Sequence, residues 1–332
     1  MESPETLAGR LAKGDRRALA RAITLAESTR PDHRDATRAL LAALPGRAGP
    51  ALRVGLTGTP GVGKSSFIER LGLTLIEGGT RLAVLAVDPS SARSGGSILG
   101  DKTRMERLSR APDAFIRPSP SQAALGGVAR RTRECILLCE AWGADVVLVE
   151  TVGVGQSETM VAEMTDMFVL LIAPAGGDEL QGVKRGIMEM ADLILVNKAD
   201  GDLALQATRT CADYAGALRL LRPRPGDPPG WPRAMCVSAA TGAGLTEAWA
   251  AIKELSAARR ASGAWEDRRK AQAQSWFANA LEAGLKARLA ADPTIAARRA
   301  RLADDVAAGR ILPETAASEL LDAALPATGE RS

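Results

Sequence analysis

Histidine is nearly absent from this sequence of 332 residues, where His33 stands alone. It sits among Asp32, Arg34 and Asp35, a setting in which an exposed helix is a simpler reading than catalysis. Cysteine is scarce as well, limited to Cys135, Cys139, Cys211 and Cys236. No disulfide framework is implied, and the clustered His and Cys ligands needed to store or deliver nickel are lacking. Cys135 and Cys139 fall one turn apart on one helical face; they read as small core residues, with a metal pair as the alternative. Aromatic residues make up only 3%, which leaves Leu, Val, Ile and Ala to build the core.

No apolar run approaches the roughly 18 residues of a membrane span. The amino terminus, Met1-Glu-Ser-Pro-Glu5, lacks a basic segment followed by an apolar stretch. A soluble cytoplasmic protein with no membrane contact is therefore expected. The formal charge of +4 is weak, and the arginines are spread over several helices without a long basic tract, so no nucleic-acid partner is expected. What is present is ordinary for a globule, with 46% hydrophobic and 25% charged residues at a length that suits one large α/β domain with modest extensions.

One stretch organises the rest. Arg53-Val-Gly-Leu-Thr57 reads as a short buried strand and feeds into Gly58-Thr-Pro-Gly61-Val62-Gly63-Lys64-Ser65, which satisfies GxxxxGK[ST] at every fixed position. The glycines let successive backbone N–H groups curl toward phosphates, Lys64 reaches the β/γ oxygens, and the Ser65 hydroxyl can ligate Mg²⁺. Ser66, Phe67, Ile68, Leu71 and Leu75 continue as a helix whose amino end favours the same anion. A strand before and a helix after supply the context that separates a phosphate loop from a chance turn.

The chain around this loop has a readable order. Residues 5–45 carry helical stripes, with Gly14-Asp15 as a break and cap and Pro31 at a helical first turn. Apolar runs then recur as strands: Leu82–Asp88, Asp145–Glu150, Phe168–Ile172, Leu193–Asn197 and Ala234–Ser238. Continuous apolar strands separated by helical spans predict a mostly parallel sheet covered on both faces, with ligands at the carboxyl ends of its strands. Gly201–Leu221 is predicted helical with Leu203, Ala207, Cys211 and Leu218 inward, and Arg222–Gly230 is predicted as a surface loop. Beyond residue 255 the chain is alanine-rich, and Trp265, Trp276, Phe277, Leu281, Leu285 and Leu289 form an apolar stripe that needs a partner. The division expected is an N-terminal helical extension (1–50), a P-loop domain (51–255) and a C-terminal helical region (256–332).

Several polar residues close these strands beside the phosphates. Asn197-Lys198-Ala-Asp200 matches the NKxD element that reads guanine: the aspartate accepts from ring N1 and the exocyclic amine, a donor pair that adenine lacks. Val237-Ser238-Ala239 has the form of a backbone contact to the guanine edge. Glu150-Thr-Val-Gly153 has the form of a DxxG switch with glutamate in place of aspartate, long enough for a water-mediated contact to Mg²⁺ while the Gly153 N–H senses the γ-phosphate. Val154 follows and cannot orient a water, so slow unaided hydrolysis is expected. Asp88 and Asp101 are candidates for the metal shell, Asp101 having a second reading as a helix cap. Gly176-Gly-Asp178-Glu179-Leu-Gln181-Gly-Val-Lys184 reads as a mobile charged segment beside the nucleotide.

Taken together, GTPGVGKS, VLAVDPSSARSGGSILGDKTRM, FIRPSPS, LGGVA, DVVLVETVGVGQSE, GGDELQGVKRGI and NKAD resemble the MeaB/ArgK family of SIMIBI-class P-loop GTPases. The resemblance extends from the N-terminal helices to about residue 255 and more loosely beyond. It implies a homodimer, dimerised through the C-terminal helices, that binds GTP or GDP with Mg²⁺. It also implies association with adenosylcobalamin-dependent methylmalonyl-CoA mutase, gating of cofactor loading from an adenosyltransferase, and protection or rescue of the mutase; adenosylcobalamin belongs to that partner. Carried over, Lys64 and Ser65 take the phosphate and metal roles, Asp88, Asp101 and Glu150 surround Mg²⁺ and water, Asn197 and Asp200 read guanine, and 177–188 is a third switch. Ser121-Gln-Ala-Ala124 departs from relatives that carry glycine there. Another adenosylcobalamin-dependent acyl-CoA mutase, a metal-centre maturation role, or a GTP-regulated adaptor with negligible hydrolysis are the alternatives.

Overall fold

The computed structural model describes residues 2–45, 50–87, 105–118, 125–151, 157–174 and 185–325. Among the described residues seven strands form one sheet: β1 (Leu52–Thr57), β2 (Leu82–Val87), β3 (Ala114–Arg117), β4 (Val146–Thr151), β5 (Met167–Ile172), β6 (Leu193–Val196) and β7 (Arg233–Cys236). Every pairing is parallel and the order is β3-β2-β4-β1-β5-β6-β7. The α/β class is as the apolar runs predict. The order puts β1 at the centre, with β4 beside it in a register that sets Leu56 opposite Glu150. The chain leaves β1 toward one edge and returns through β4 before filling the other side, so their carboxyl ends meet at a topological switch point.

Contacts divide the chain into two units, Met1–Lys270 and Ala271–Ser332. The first opens with α1 (Pro4–Ala12), α2 (Arg16–Glu27) and α3 (Pro31–Ala42). Asp15 caps α2 by accepting from the Arg17 and Ala18 N–H groups, and Pro31 occupies the first turn of α3. Leu7, Leu11, Leu19, Ile23 and Leu40 are buried, and α2 lies along α6 (Leu125–Trp142). Arg117 at the end of β3 ties this bundle to the sheet edge through Glu27. His33 is half-buried rather than exposed: it lines a cavity of about 460 Å³ among Leu7, Leu25 and Ala36, and its Nδ1 is buried without a hydrogen bond. Helix packing turned inward a residue whose neighbours in sequence are all charged.

On one face of the sheet, Val54, Leu56, Val84, Leu148 and Val169 share a core with residues of α4 (Lys64–Glu77), α5 (Glu106–Arg110) and α10 (Leu245–Ala261). The opposite side of β1 meets α7 (Ser157–Ala162) at Gly55, where a Cβ would stand 2.7 Å from Val161 Cγ1. Only glycine lets that helix come so close. α8 (Arg185–Met190) packs on β5, and α9 (Ala204–Leu218) on β6 and β7. Ala207 and Leu218 are inward as predicted, but Leu203 is 39% exposed because it ends a 3₁₀ turn, Gly201–Leu203, set before α9.

The amino ends of the strands are closed by charge. Asp145, Asp166 and Asp192 each precede a strand and accept a backbone N–H from the neighbouring segment, of Arg81 (2.9 Å), Arg53 (2.8 Å) and Phe168 (2.7 Å) respectively. Arg259 bridges Asp192 and Asp227 at 2.6 Å each, Arg224 also pairs with Asp192, and Arg269 holds Asp166 at 2.7 Å. Burial pushes the Asp192 carboxyl upward, but Arg259, Arg268 and Arg224 outweigh it and hold the group below its ordinary value. The 222–230 segment is a loop as predicted, yet Arg224 and Asp227 anchor it in this network. Cys135 and Cys139 are enclosed in α6, where burial pushes both thiols upward.

α11 (Ala264–Ala291) begins in the first unit; α12 (Pro293–Ala307) and α13 (Pro313–Ala324) belong to the second. Asp292 caps α12 by accepting from Thr294 and Ile295, and Arg298 pairs with Glu319 of α13 at 2.9 Å. Phe277 is 70% exposed, and Leu281 and Leu285 follow it on the same face, also exposed.

Candidate functional site

The phosphate loop grows directly out of the central strand. After Thr57 the backbone turns at Gly58, where a Cβ would lie 2.2 Å from the Leu171 carbonyl oxygen of β5, and turns again at Gly63 with φ of 94°. α4 then begins at Lys64 without a side-chain cap, leaving its first N–H groups directed at the loop's concavity. Lys64 is 8% exposed, and its ammonium donates to the Gly58 and Thr59 carbonyls at 2.6 and 3.3 Å. The cation is thus stored in the loop's own carbonyls, where phosphate oxygens can replace them. Ser65 and Ser66 follow in the first turn of α4, half-buried and exposed respectively.

Replacing Gly58 with alanine is expected to cost about 1–3 kcal/mol of stability, because the atom in the way belongs to the backbone of β5 and no rotamer can relieve it. Titration with a fluorescent GTP analogue should show at least about tenfold weaker binding, the equivalent of 1.4 kcal/mol. Unchanged melting temperature and affinity would refute the cradle geometry.

Asn197 is the brace of the site. It follows β6, is 1% exposed, donates from Nδ2 to the Val62 carbonyl at 2.8 Å and accepts the Ala239 N–H on Oδ1 at 2.9 Å. One side chain therefore joins the phosphate loop, the NKxD element and the Ser238-Ala239 element. A Cβ on Gly63 would stand 2.7 Å from the same Nδ2. Lys198 adopts φ of 60°, a left-handed conformation uncommon outside glycine, and donates Nζ to the Gly61 carbonyl at 2.9 Å. Asp200 accepts from the Ser238 hydroxyl at 2.5 Å, and that hydroxyl accepts the Thr241 N–H at 3.1 Å. Ser238 thus orients the carboxylate, a role that spacing alone did not reveal.

Glu150 lies at the carboxyl end of β4, 4% exposed, paired in register with Leu56 of β1 and Ala86 of β2. The next residue, Thr151, donates to the Thr57 hydroxyl at 2.8 Å, both groups being buried. This bond clasps the strand that enters the phosphate loop to the strand that carries Glu150, and no sequence motif pointed to it. Asp88, Asp101, Gly153, Val154, Asp178, Glu179, Gln181, Lys184 and the 121–124 departure lie outside the described residues. Among the described residues no three His, Cys, Asp or Glu side chains are grouped to hold a metal ion.

The structure therefore brings together Gly58, Gly61, Val62, Gly63, Lys64, Asn197, Lys198, Asp200, Ser238 and Ala239 as one bonded unit at the carboxyl edge of the sheet. The family described as Methylmalonyl Co-A mutase-associated GTPase MeaB matches residues 19–294. The Mus musculus protein named methylmalonic aciduria type A homolog, mitochondrial, is 48% identical over 324 residues, covering 94% of this chain and 77% of that one. The Escherichia coli GTPase ArgK is 50% identical over 274 residues, 82% of each chain. Among solved structures, one described as LAO/AO transport system kinase superposes with a TM-score of 0.75 at 39% identity, covering 97% of both chains.

Proposed function

This chain belongs to the MeaB/ArgK family of P-loop GTPases, and we propose that it is a GTP-hydrolysing chaperone of an adenosylcobalamin-dependent methylmalonyl-CoA mutase. In this reading it gates loading of the mutase with cofactor from an adenosyltransferase and protects or reactivates the enzyme. The observation that supports the nucleotide half is Asn197, whose two hydrogen bonds join the NKxD element and Ala239 to the phosphate loop. The partner half rests on the family match over residues 19–294. A transport kinase acting with ATP is disfavoured, because adenine offers the Asp200 carboxylate no matching donor pair.

The residues divide the work as follows. Loop N–H groups and Lys64 bind the β/γ-phosphates, and Asp200, steadied by Ser238, accepts from guanine. Ser65 and Glu150 offer oxygen donors only, the set that suits a hard cation such as Mg²⁺, and Asp88 and Asp101 complete our assignment of its shell. Mg²⁺ would neutralise charge on the phosphates as the bond to the γ-phosphoryl breaks. Gly153 and the segment with Asp178, Glu179, Gln181 and Lys184 are assigned as switches. The division into a helical extension (1–50), GTPase domain (51–255) and C-terminal helical region (256–332) is part of the same proposal. The exposed face of Phe277, Leu281 and Leu285 supports a homodimer. No described helix is long and apolar enough to cross a membrane, and we assign the protein to the cytoplasm.

The test is GTP turnover by the full chain alone and with the mutase. Slow turnover alone and at least about tenfold stimulation by the mutase are expected, since a partner that supplies the missing alignment can contribute more than this. Rapid turnover by the isolated chain would contradict the assignment of Val154 as a residue that cannot orient water. Guanine binding without stimulation would favour a different acyl-CoA mutase as client, or an adaptor that uses GTP only as a switch.

A further inference from the structure

α7 begins shortly after the Glu150-Thr-Val-Gly153 motif and ends in a turn that leads to β5. That turn is held from outside by one residue of α11. Arg268 donates Nε to the Thr165 carbonyl and Nη2 to the Ala162 carbonyl, both at 3.0 Å. These are carbonyls of the last turn of α7 and the connection after it, the groups a short helix leaves unpaired. The Thr165 hydroxyl donates back to the Val161 carbonyl at 2.8 Å, so the end of α7 is closed by two residues acting together.

The arrangement is costly and specific. Burial lowers the Arg268 pKa, with Asp192 and Asp166 opposing that shift by their charge. A desolvated guanidinium directed at two carbonyls is poorly explained as surface solvation; its planar fork spans both acceptors, which a lysine cannot do. The base that carries it is fixed. Arg269 chelates Asp166 with bonds of 2.8 and 2.7 Å and also donates to the Ala51 carbonyl at 2.7 Å, while Arg260 and Arg269 stack on Trp265 at 3.7 and 4.7 Å. The other side of α7 is equally confined, by its contact with β1 at Gly55, two residues before the strand ends. α7 is thus pressed against β1 on one side and tied to the start of α11 at its carboxyl end.

We propose that Arg268 is a positioning residue for the GTPase reaction, holding α7 against Gly55 of β1, the strand that feeds the phosphate loop, and coupling that strand to the first turns of α11. The inference rests on the GTPase reading above. The full chain carrying Arg268→Ala, Arg268→Lys or the parent residue is compared in three measurements: affinity for fluorescent GTP and GDP analogues, steady-state GTP hydrolysis, and hydrogen exchange across 264–291 with GDP or a non-hydrolysable GTP analogue. In Arg268→Ala, kcat should fall about tenfold, as expected for a displaced reacting geometry, while KM and nucleotide affinity stay within about twofold. The difference in α11 exchange between the two nucleotides, present in the parent, should vanish. Arg268→Lys, which keeps the charge and one carbonyl bond, should recover part of kcat; it also provides the comparison if the alanine variant does not fold. Folded variants with parental kcat and a parental exchange difference would overturn the inference, as would a parent whose α11 exchange does not depend on the nucleotide. A parent that binds no GTP would instead overturn the function proposed above and leave the capping geometry as a structural feature alone.

Discussion

Substitution of Lys64 by alanine should lower GTP turnover by at least about a hundredfold, the loss expected when a preorganised charge aimed at a transferring phosphoryl group is removed. The structure shows why the effect should fall on chemistry more than on folding. The Lys64 ammonium is buried yet bonded to the Gly58 and Thr59 carbonyls of its own loop. Alanine at the first position of α4 keeps the helix and removes only the ammonium to which we assign the exchange of these carbonyls for β/γ oxygens. Arginine should not rescue, since a wide planar fork cannot take the place of a compact ammonium inside this loop. Phosphate release measured beside a thermal melt separates the two effects. A folded Lys64→Ala protein that keeps turnover within about threefold of the parent would mean that hydrolysis is carried elsewhere, because loss of a charged donor is worth more than that.

The parts of this fold legible in sequence are those dictated locally. β1, β2, β4, β5 and β6 are readable because a strand buried on both faces is apolar along most of its length, with polar residues such as Thr57, Glu150 and Thr151 left to its carboxyl end. β3 escaped: Ala114–Arg117 is four residues long, sits at the sheet edge and is followed at once by Pro118. β7 is shorter than the run Ala234–Ser238 suggests, because Ser238 leaves the ladder to bond the Ala243 carbonyl. Strand order was not legible, since nothing in the β4 sequence tells it to lie between β2 and β1. The same divide runs through the site. Motif residues such as Lys64, Asn197 and Asp200 announce themselves by spacing, whereas their supports do not. The Thr57–Thr151 hydroxyl bond, the Ser238 hydroxyl on Asp200 and the Arg268 fork on α7 each join segments that only the folded sheet brings together. Arg224 and Asp227 show the limit most plainly: a segment composed like a solvated loop holds two members of a buried ion network.

Asp200→Asn should weaken GTP binding by about a hundredfold or more, because a site built to accept two donors then presents one of its own. The direction is set by Ser238. Its hydroxyl donates to Asp200 Oδ1 at 2.5 Å while accepting the Thr241 N–H, so it is committed as a donor toward residue 200. In the variant that hydroxyl selects the amide orientation with oxygen toward Ser238, and the amide NH₂ is then turned to the base. Guanine meets it with an amine and suffers a clash of donors; xanthine, with a carbonyl at that position, gains an acceptor. Affinity should therefore shift from GTP toward xanthosine triphosphate in Asp200→Asn. Adding Ser238→Ala should free the amide to rotate and return part of the GTP affinity, a rescue that simple weakening of the loop would not produce. Competition of GTP and xanthosine triphosphate against a fluorescent guanine nucleotide measures both effects. If Asp200→Asn loses affinity for both nucleotides equally and Ser238→Ala only adds to the loss, Asp200 supports the loop without reading the base, and the guanine preference must come from elsewhere.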